Sequence, residues 1–159
     1  AWGVFGTGLA GDHPTWTGPK VEGDYGSYGM NELAYNTPPG AARSEHRWRT
    51  VNVKGASEIP LLFDCIWYDV YPNDTDRPPE YPGDVAKTGG AGEMKRVCIN
   101  RHTGYVNTLF MDWSARKTGL KELWTLNWYR GFNMANAWTK AGGVSPENWP
   151  EWMRNFKDY

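Results

Sequence analysis

Residues 94–119, MKRVCINRHTGYVNTLFMDWSARKTG, constrain the fold of this chain more than any other stretch. The segments 94–100 and 105–113 are rich in β-branched and aromatic residues, which favours extended strands. Between them, residues 101–104 end in the glycine that a hairpin turn commonly needs. The pattern predicts a central β-hairpin, with the flanking parts of the chain packed against it.

Further strands are predicted on both sides of this hairpin. Residues 49–54 alternate in polarity, and residues 59–68 form the most apolar stretch, with Pro60 at its start, where no ladder donor is needed. Residues 25–35 alternate small and aromatic side chains, which predicts a strand with close backbone approach at Gly26 and Gly29. The expected fold class is α+β: a mainly antiparallel β-sheet with long loops and short C-terminal helices.

The helices are predicted where apolar residues recur at helical spacing, over 120–129 and 149–156. Asn148 and Glu151 have the three-residue spacing of a helix cap, with Pro150 in the first turn. One face of the last helix carries Trp149, Trp152, Met153 and Phe156, and this helix is expected to dock tightly.

Length and charge limit the class of protein. A chain of 159 residues is expected to form one domain, with a loop-rich segment over 1–48, a sheet core over 49–118 and a Trp-rich helical tail over 119–159. With 17 basic and 18 acidic residues, the chain has no nucleic-acid footprint and no polybasic membrane patch. It does not start with methionine, and we expect a processed or truncated product.

Large aromatic side chains are expected to hold this glycine- and proline-rich chain together. The sequence has ten Trp, nine Tyr and five Phe, and each can bury about 150–250 Å². They can form a core and subunit contacts, or some can lie exposed as platforms on which sugars stack.

Two cysteines, Cys65 and Cys98, each lie in an apolar segment. They are too few for a metal site of their own. We expect them to face the same interior region, where they are candidates for a disulfide if the protein is exported.

Oxygen-bearing side chains cluster in the loop over 69–92. Asp69, Asn73, Asp74 and Asp76 are candidate ligands for Ca²⁺, which takes six to eight oxygens. The spacing departs from an EF-hand, and a solvated acidic loop is the alternative.

Three residues invite a catalytic interpretation. Asp64 lies between two apolar residues and needs a partner if buried, which Arg96 or Arg101 can supply in a structural ion pair. His102 and Asp112 are separated by an expected strand, whose seven steps of about 3.3 Å place Asp112 roughly 23 Å from the turn. They are therefore expected to act separately, with the His102 ring satisfying carbonyls of the turn.

The frame RHTGYVNTLFMDW, which contains His102 and Asp112, resembles the His, nine residues, Asp-Gly signature of prepilin-type proteins, a family related to type II secretion pseudopilins and type IV pilin-like proteins. The resemblance extends to GDYGSYGMN, IPLLFDC, LKELWTLNWYRGF and AGGVSPENWPEWMRNFKDY. The chain departs from the family in having Trp113 where the signature has Gly, and in lacking the N-terminal hydrophobic helix.

This resemblance implies the globular head of a structural subunit in an extracellular or cell-surface filament, whose partners are other copies of itself. Membrane contact would come only through the N-terminal helix that this chain lacks, and pseudopilin-like heads hold calcium in C-terminal loops. Trp149, Trp152, Phe156 and Tyr159 are the candidate interface residues. No convergent acid, base and nucleophile indicates an enzyme. The alternative is a secreted, aromatic-rich carbohydrate-binding module that binds glycans.

Overall fold

The computed structural model describes residues 28–35, 40, 43–84 and 92–159, and the framework of this part is a five-stranded mixed sheet. In space the strands follow the order β3-β1-β2-β4-β5, with β1 and β3 parallel and the other three pairs antiparallel. The predicted α+β class with a mainly antiparallel sheet is confirmed, while the predictions for 1–27, including Gly26, lie outside the described residues. The strands are β1 Tyr28–Asn31, β2 Pro60–Asp64, β3 Asp69–Val70, β4 Tyr105–Phe110 and β5 Ala115–Gly119.

A hairpin does lie in this stretch, but its strands are β4 and β5 at the edge of the sheet, and the predicted turn at 101–104 is wrong. The chain reverses at 111–114, where the Phe110 N–H donates to the Ser114 carbonyl at 2.8 Å. Strand β5, ARKTG, is polar and exposed on one face, so it carries no apolar signal. The strand over 105–113 was therefore predicted at about the right place but paired with the wrong segment.

The predicted strand over 94–100 is also wrong, because its backbone bonds locally. Glu93–Arg96 is a 3-10 turn, and the N–H groups of Val97 and Cys98 both donate to the Met94 carbonyl, at 3.1 and 2.8 Å. Because these N–H groups have acceptors within their own segment, they cannot pair with a neighbouring strand. The apolar side chains of the segment are buried, which explains why it resembles a strand in sequence.

Two other predicted strands differ from the structure. Residues 49–54 are irregular and Val51 is 55% exposed, so their alternation reflects no buried sheet face. The stretch 59–68 is divided into β2 and a turn that leads to β3. Pro60 begins β2, as predicted. A Cβ at Gly29 would lie 2.3 Å from the Trp67 carbonyl oxygen, which confirms the close backbone approach.

Short 3-10 turns stand where longer helices were predicted. In the first region the turn stops at Thr125, since the Asn127 N–H donates to the Glu58 carbonyl at 2.9 Å and not to a helical partner. Near the C-terminus the cap is formed by Ser145 and Asn148, and the predicted Asn148–Glu151 cap is wrong. The turns of the tail are Lys121–Thr125, Lys140–Gly142, Pro146–Asn148 and Glu151–Met153. Among the described residues no helix is long and apolar enough to cross a bilayer.

Aromatic side chains fill the space between these turns and the inner face of the sheet. Trp124, Trp128 and Trp149 are fully buried, and the rings of Trp124 and Trp149 meet edge to face at 5.4 Å. Phe63 of β2 contacts Trp128 in the same way at 5.1 Å. Burial of these rings compensates for the small amount of regular secondary structure.

Candidate functional site: the outer face of the sheet

The side of the sheet opposite the tryptophan core, which we call the outer face, carries an apolar row across four strands. Met30, Leu62, Leu109 and Ala115 are aligned by the register of β1, β2, β4 and β5. Leu62 is 42% exposed, and neighbouring Tyr28 is 61% exposed. An apolar row of this kind on a surface is typical of a docking site.

A polar row runs parallel to the apolar one. Tyr28 pairs with Asp64 across β1 and β2, and Asn107 pairs with Lys117 across β4 and β5. Between the two rows is an open groove of about 580 Å³. Its lining includes Tyr28, Leu62, Leu109, Ala115, Arg116 and Lys117.

Asp64 carries a buried negative charge on this face. Its partners Arg101 and His102 belong to the loop before β4 and hold that loop onto the sheet. Its Oδ2 accepts the backbone N–H of Asn107 at 2.7 Å and lies 3.1 Å from His102 Nε2. Arg101 Nη1 lies 3.7 Å from Oδ1, and Arg101 Nη2 donates to the Cys65 carbonyl at 3.0 Å. Arg101 is thus the predicted structural ion-pair partner, whereas Arg96 pairs with Glu93.

His102 contacts a carboxylate, but that carboxylate belongs to Asp64. The predicted role of its ring in satisfying turn carbonyls is wrong, since Nε2 lies 3.1 Å from Asp64 and 3.0 Å from the Asn107 amide nitrogen. His102 precedes β4 and Asp112 follows it, so the two residues of the motif lie at opposite ends of this extended strand. The His102 side chain is 40% exposed and sits at the rim of the outer face.

Asp112 organises the β4–β5 turn. It accepts the N–H and the hydroxyl of Ser114 at 2.9 and 2.6 Å, and these hydrogen bonds hold the pKa of its carboxyl below the ordinary value. Trp113 follows with φ of +68°, in the left-handed region that glycine adopts most easily. It is 69% exposed. The departure from the Asp-Gly signature thus falls at the residue whose backbone conformation favours glycine.

We expect Trp113→Gly to stabilise the fold by about 1 kcal/mol. A left-handed non-glycine residue costs roughly 1–2 kcal/mol, and the larger entropy of glycine in the unfolded chain offsets part of the gain. Urea unfolding of the wild type, Trp113→Gly and Trp113→Ala measures the effect. Alanine removes the indole and keeps the strain, so an alanine variant as stable as the glycine variant would contradict the explanation.

Cys65 and Cys98 both lie in the main core, as predicted. They are free thiols, so the structure does not contain the predicted disulfide. Burial raises the pKa of Cys65 to about 12 and that of Cys98 further.

We expect neither thiol to react with a disulfide reagent in the native protein at neutral pH, because the reactive thiolate is scarce in buried cysteines. Both should react once urea unfolds the chain, without prior reduction. Thiol titration with and without denaturant measures this. Failure to titrate either thiol in urea would instead indicate a disulfide.

The candidate calcium ligands are divided among separate structural roles. Asp76 is buried, and its carboxylate accepts the N–H groups of Asn73, Gly92 and Met94 at 3.1, 3.3 and 3.0 Å. Asp74 accepts the N–H of Asn133 at 3.1 Å. Asp69 belongs to β3. Within the described ranges no group of three or more His, Cys, Asp and Glu side chains could hold a metal, and calcium at Asp69, Asn73, Asp74 and Asp76 stays a prediction.

The predicted interface residues of the tail make contacts inside the domain. Trp149 is buried, and Trp152 Nε1 donates to the Pro79 carbonyl at 2.8 Å. The Phe156 ring meets Trp152 edge to face at 5.9 Å. The Tyr159 carbonyl accepts the N–H of Lys140 at 2.8 Å. The tail therefore closes the fold, and its role in contacts between copies stays a prediction.

A buried lysine also anchors the tail. Lys121 is 1% exposed, and its Nζ lies 2.7 Å from Asp158 Oδ1, 3.3 Å from the Arg154 carbonyl and 5.0 Å from the Trp149 ring centroid. We expect Asp158→Asn to destabilise the protein by about 1–3 kcal/mol, because it leaves a buried ammonium without its carboxylate.

Chemical denaturation of Asp158→Asn, Lys121→Met and the double variant measures this coupling. The double variant should lose less stability than the sum of the two single variants. Lys157→Asn is the control: it removes an exposed charge whose Nζ lies 4.5 Å from the Tyr159 ring centroid, and it should cost less than about 1 kcal/mol. Additive losses in the double variant would contradict the coupling.

Sequence reasoning did not find the residues that form the outer face. Tyr28, Leu62, Leu109 and Lys117 meet only through the β1–β2–β4–β5 register, which no local pattern shows. One local signal did mark the true β4–β5 turn: in Asp-Trp-Ser at 112–114 the aspartate can accept the N–H two residues later, as it often does in turns.

No family model, curated protein or solved structure matches the chain. The geometry itself defines a small α+β domain with a five-stranded mixed sheet, short helical turns and one face of the sheet exposed.

Proposed function

We propose that this domain is a structural, pilin-like or pseudopilin-like subunit of an extracellular or cell-surface filament, which acts by self-assembly and has no turnover of its own. The observation that carries the proposal is the exposed apolar row on the outer face. Leu62 and Leu109 lie directly opposite each other on adjacent strands, in the middle of the sheet. Covering such a row with another protein surface removes apolar area from water and stabilises assembly.

Two further observations support an assembly function. The frame from His102 to Asp112 resembles the prepilin-type signature. Among the described residues, the His102 ring contacts the Asp64 carboxylate and the Asn107 side-chain amide. This arrangement supports a structural role in fixing the loop before β4.

Microscopy of the source cells tests the proposal. We expect surface filaments that react with antibody against this domain, and we expect Leu62→Asp to reduce them strongly, because a charge placed in the apolar row opposes its burial. Val51→Asp is the matched control, since Val51 is an exposed apolar residue outside the sheet. Cells that carry the wild-type protein and show no antibody-labelled filaments would contradict the proposal.

A glycan-binding module is the second candidate, supported by the surroundings of Tyr28. Its exposed ring lines the groove together with Asn107 and Lys117, which can hydrogen-bond sugar hydroxyls. Retention on polysaccharide columns separates the two functions. Retention that is lost in Tyr28→Ser, in a protein that forms no filaments, would favour the module.

A further inference from the structure

Trp113 combines a strained backbone with an exposed side chain, although glycine would suit this turn better. Its backbone has the unfavourable φ of +68°, and its large side chain is 69% exposed at the end of the β4–β5 hairpin. Both features oppose the stability of an isolated domain. Exposed tryptophan is, however, among the residues that contribute most to binding energy when a partner buries it.

The groove on the outer face has the properties that such a side chain needs in a partner. Its volume of about 580 Å³ leaves room for an indole ring, and Leu62, Leu109 and Ala115 are the apolar part of its lining. Tyr28 forms part of its wall and offers a ring for aromatic contact.

The charges beside the two surfaces are complementary. Asp112, next to Trp113, is exposed, and the hydrogen bonds from Ser114 lower the pKa of its carboxyl and favour the ionised form. Lys117, which lines the groove, is an exposed cation paired in register with Asn107. A tip that carries tryptophan beside a carboxylate therefore matches a groove that carries apolar residues beside an ammonium.

We propose that the β4–β5 hairpin tip of one copy inserts Trp113 into the outer-face groove of a second copy, with Asp112 approaching Lys117. This inference rests on the proposed assembly function and names the contact that performs it. Because the tip and the groove are different surfaces, each copy presents one of each. Such a head-to-tail contact extends as an open chain unless its rotation closes a ring.

Sedimentation velocity of the chain, from micromolar to millimolar concentration, tests the contact. We expect the wild type to self-associate and Trp113→Gly to weaken association by about 30-fold or more, as for a central interface tryptophan. Glycine suits the left-handed turn, so the loss would not come from unfolding. Lys117→Glu should weaken association by about tenfold, whereas Lys54→Glu, at an exposed lysine outside the sheet, should not.

Mixing two variants tests the head-to-tail geometry. Trp113→Gly keeps the groove without the tryptophan, and Leu62→Asp keeps the tryptophan with a damaged groove. Each variant alone should associate about 30-fold or more weakly than the wild type, and an equimolar mixture should form dimers and nothing larger. A mixture that stays monomeric, or one that forms long chains, would overturn the inference.

The outcomes separate this inference from the proposed function. If Trp113→Gly associates as tightly as the wild type, the contact is wrong and the filament subunit stands. If the mixture dimerises while the source cells form no filaments, the contact stands and the filament proposal is wrong. A wild type that stays monomeric at millimolar concentration overturns the contact.

Discussion

Gly142→Ala is expected to destabilise the protein by more than about 3 kcal/mol, because a Cβ at this position collides with the main chain. It would lie 1.8 Å from the Asn136 carbonyl oxygen and 2.5 Å from its carbon. Asn136 cannot easily give way, since it is buried and its amide donates to the carbonyls of Trp124 and Asn133 at 2.9 and 2.8 Å. The collision is with fixed backbone and not with the end of a flexible side chain.

Urea unfolding followed by tryptophan fluorescence measures the loss. Ala141→Ser is the matched control, because Ala141 is an exposed residue of the same turn, Lys140–Gly142. It should stay within about 0.5 kcal/mol of the wild type. If Gly142→Ala behaved like the control, residues 136–142 would have to be free to move apart.

Glu93→Ala is expected to cost about 3–5 kcal/mol, the usual loss when one partner of a buried ion pair is removed. Glu93 is completely buried and Arg96 is 2% exposed, with Glu93 Oε2 and Arg96 Nη1 at 2.9 Å. The guanidinium also lies 4.5 Å from the Trp67 ring centroid, so it is fixed deep in the core. Without the carboxylate of Glu93, this buried positive charge loses an ion-pair partner.

Two comparisons identify burial as the cause. Glu93→Ala combined with Arg96→Met should recover part of the loss, since an apolar side chain then fills the space of the guanidinium. Glu58→Ala removes an exposed partner of Arg116 and should cost less than about 1 kcal/mol. Equal losses in Glu93→Ala and Glu58→Ala would contradict this explanation.

Local apolar patterns in the sequence predicted individual elements well, but they did not predict which strands pair with each other. Strand β2 and its start at Pro60 follow from apolar patterns that act within a few residues. Residues 94–100 were mistaken for a strand because burial selects the same apolar side chains in an irregular segment as in a strand. An irregular buried segment and a strand differ only in the acceptors of their backbone N–H groups, and the sequence does not specify those acceptors.

The candidate site was predicted only in its isolated parts. Asp64 was expected to need Arg96 or Arg101 as a partner because burying a charge is costly, and the observed partner is Arg101. The alignment of Leu62 with Leu109 depends on register between segments almost fifty positions apart, and no local rule specifies it.

The position of β1 inside the sheet has a consequence for the order in which the chain can fold. This strand comes first among the described elements but lies between β2 and β3, and Asn31 at its end donates to the Trp128 carbonyl, 97 residues later, at 2.8 Å. During synthesis β1 therefore cannot form its hydrogen bond to the Trp128 carbonyl until the second half of the chain has left the ribosome. Contacts at such separation close slowly, so the newly made protein should spend a long interval as a substrate for chaperones.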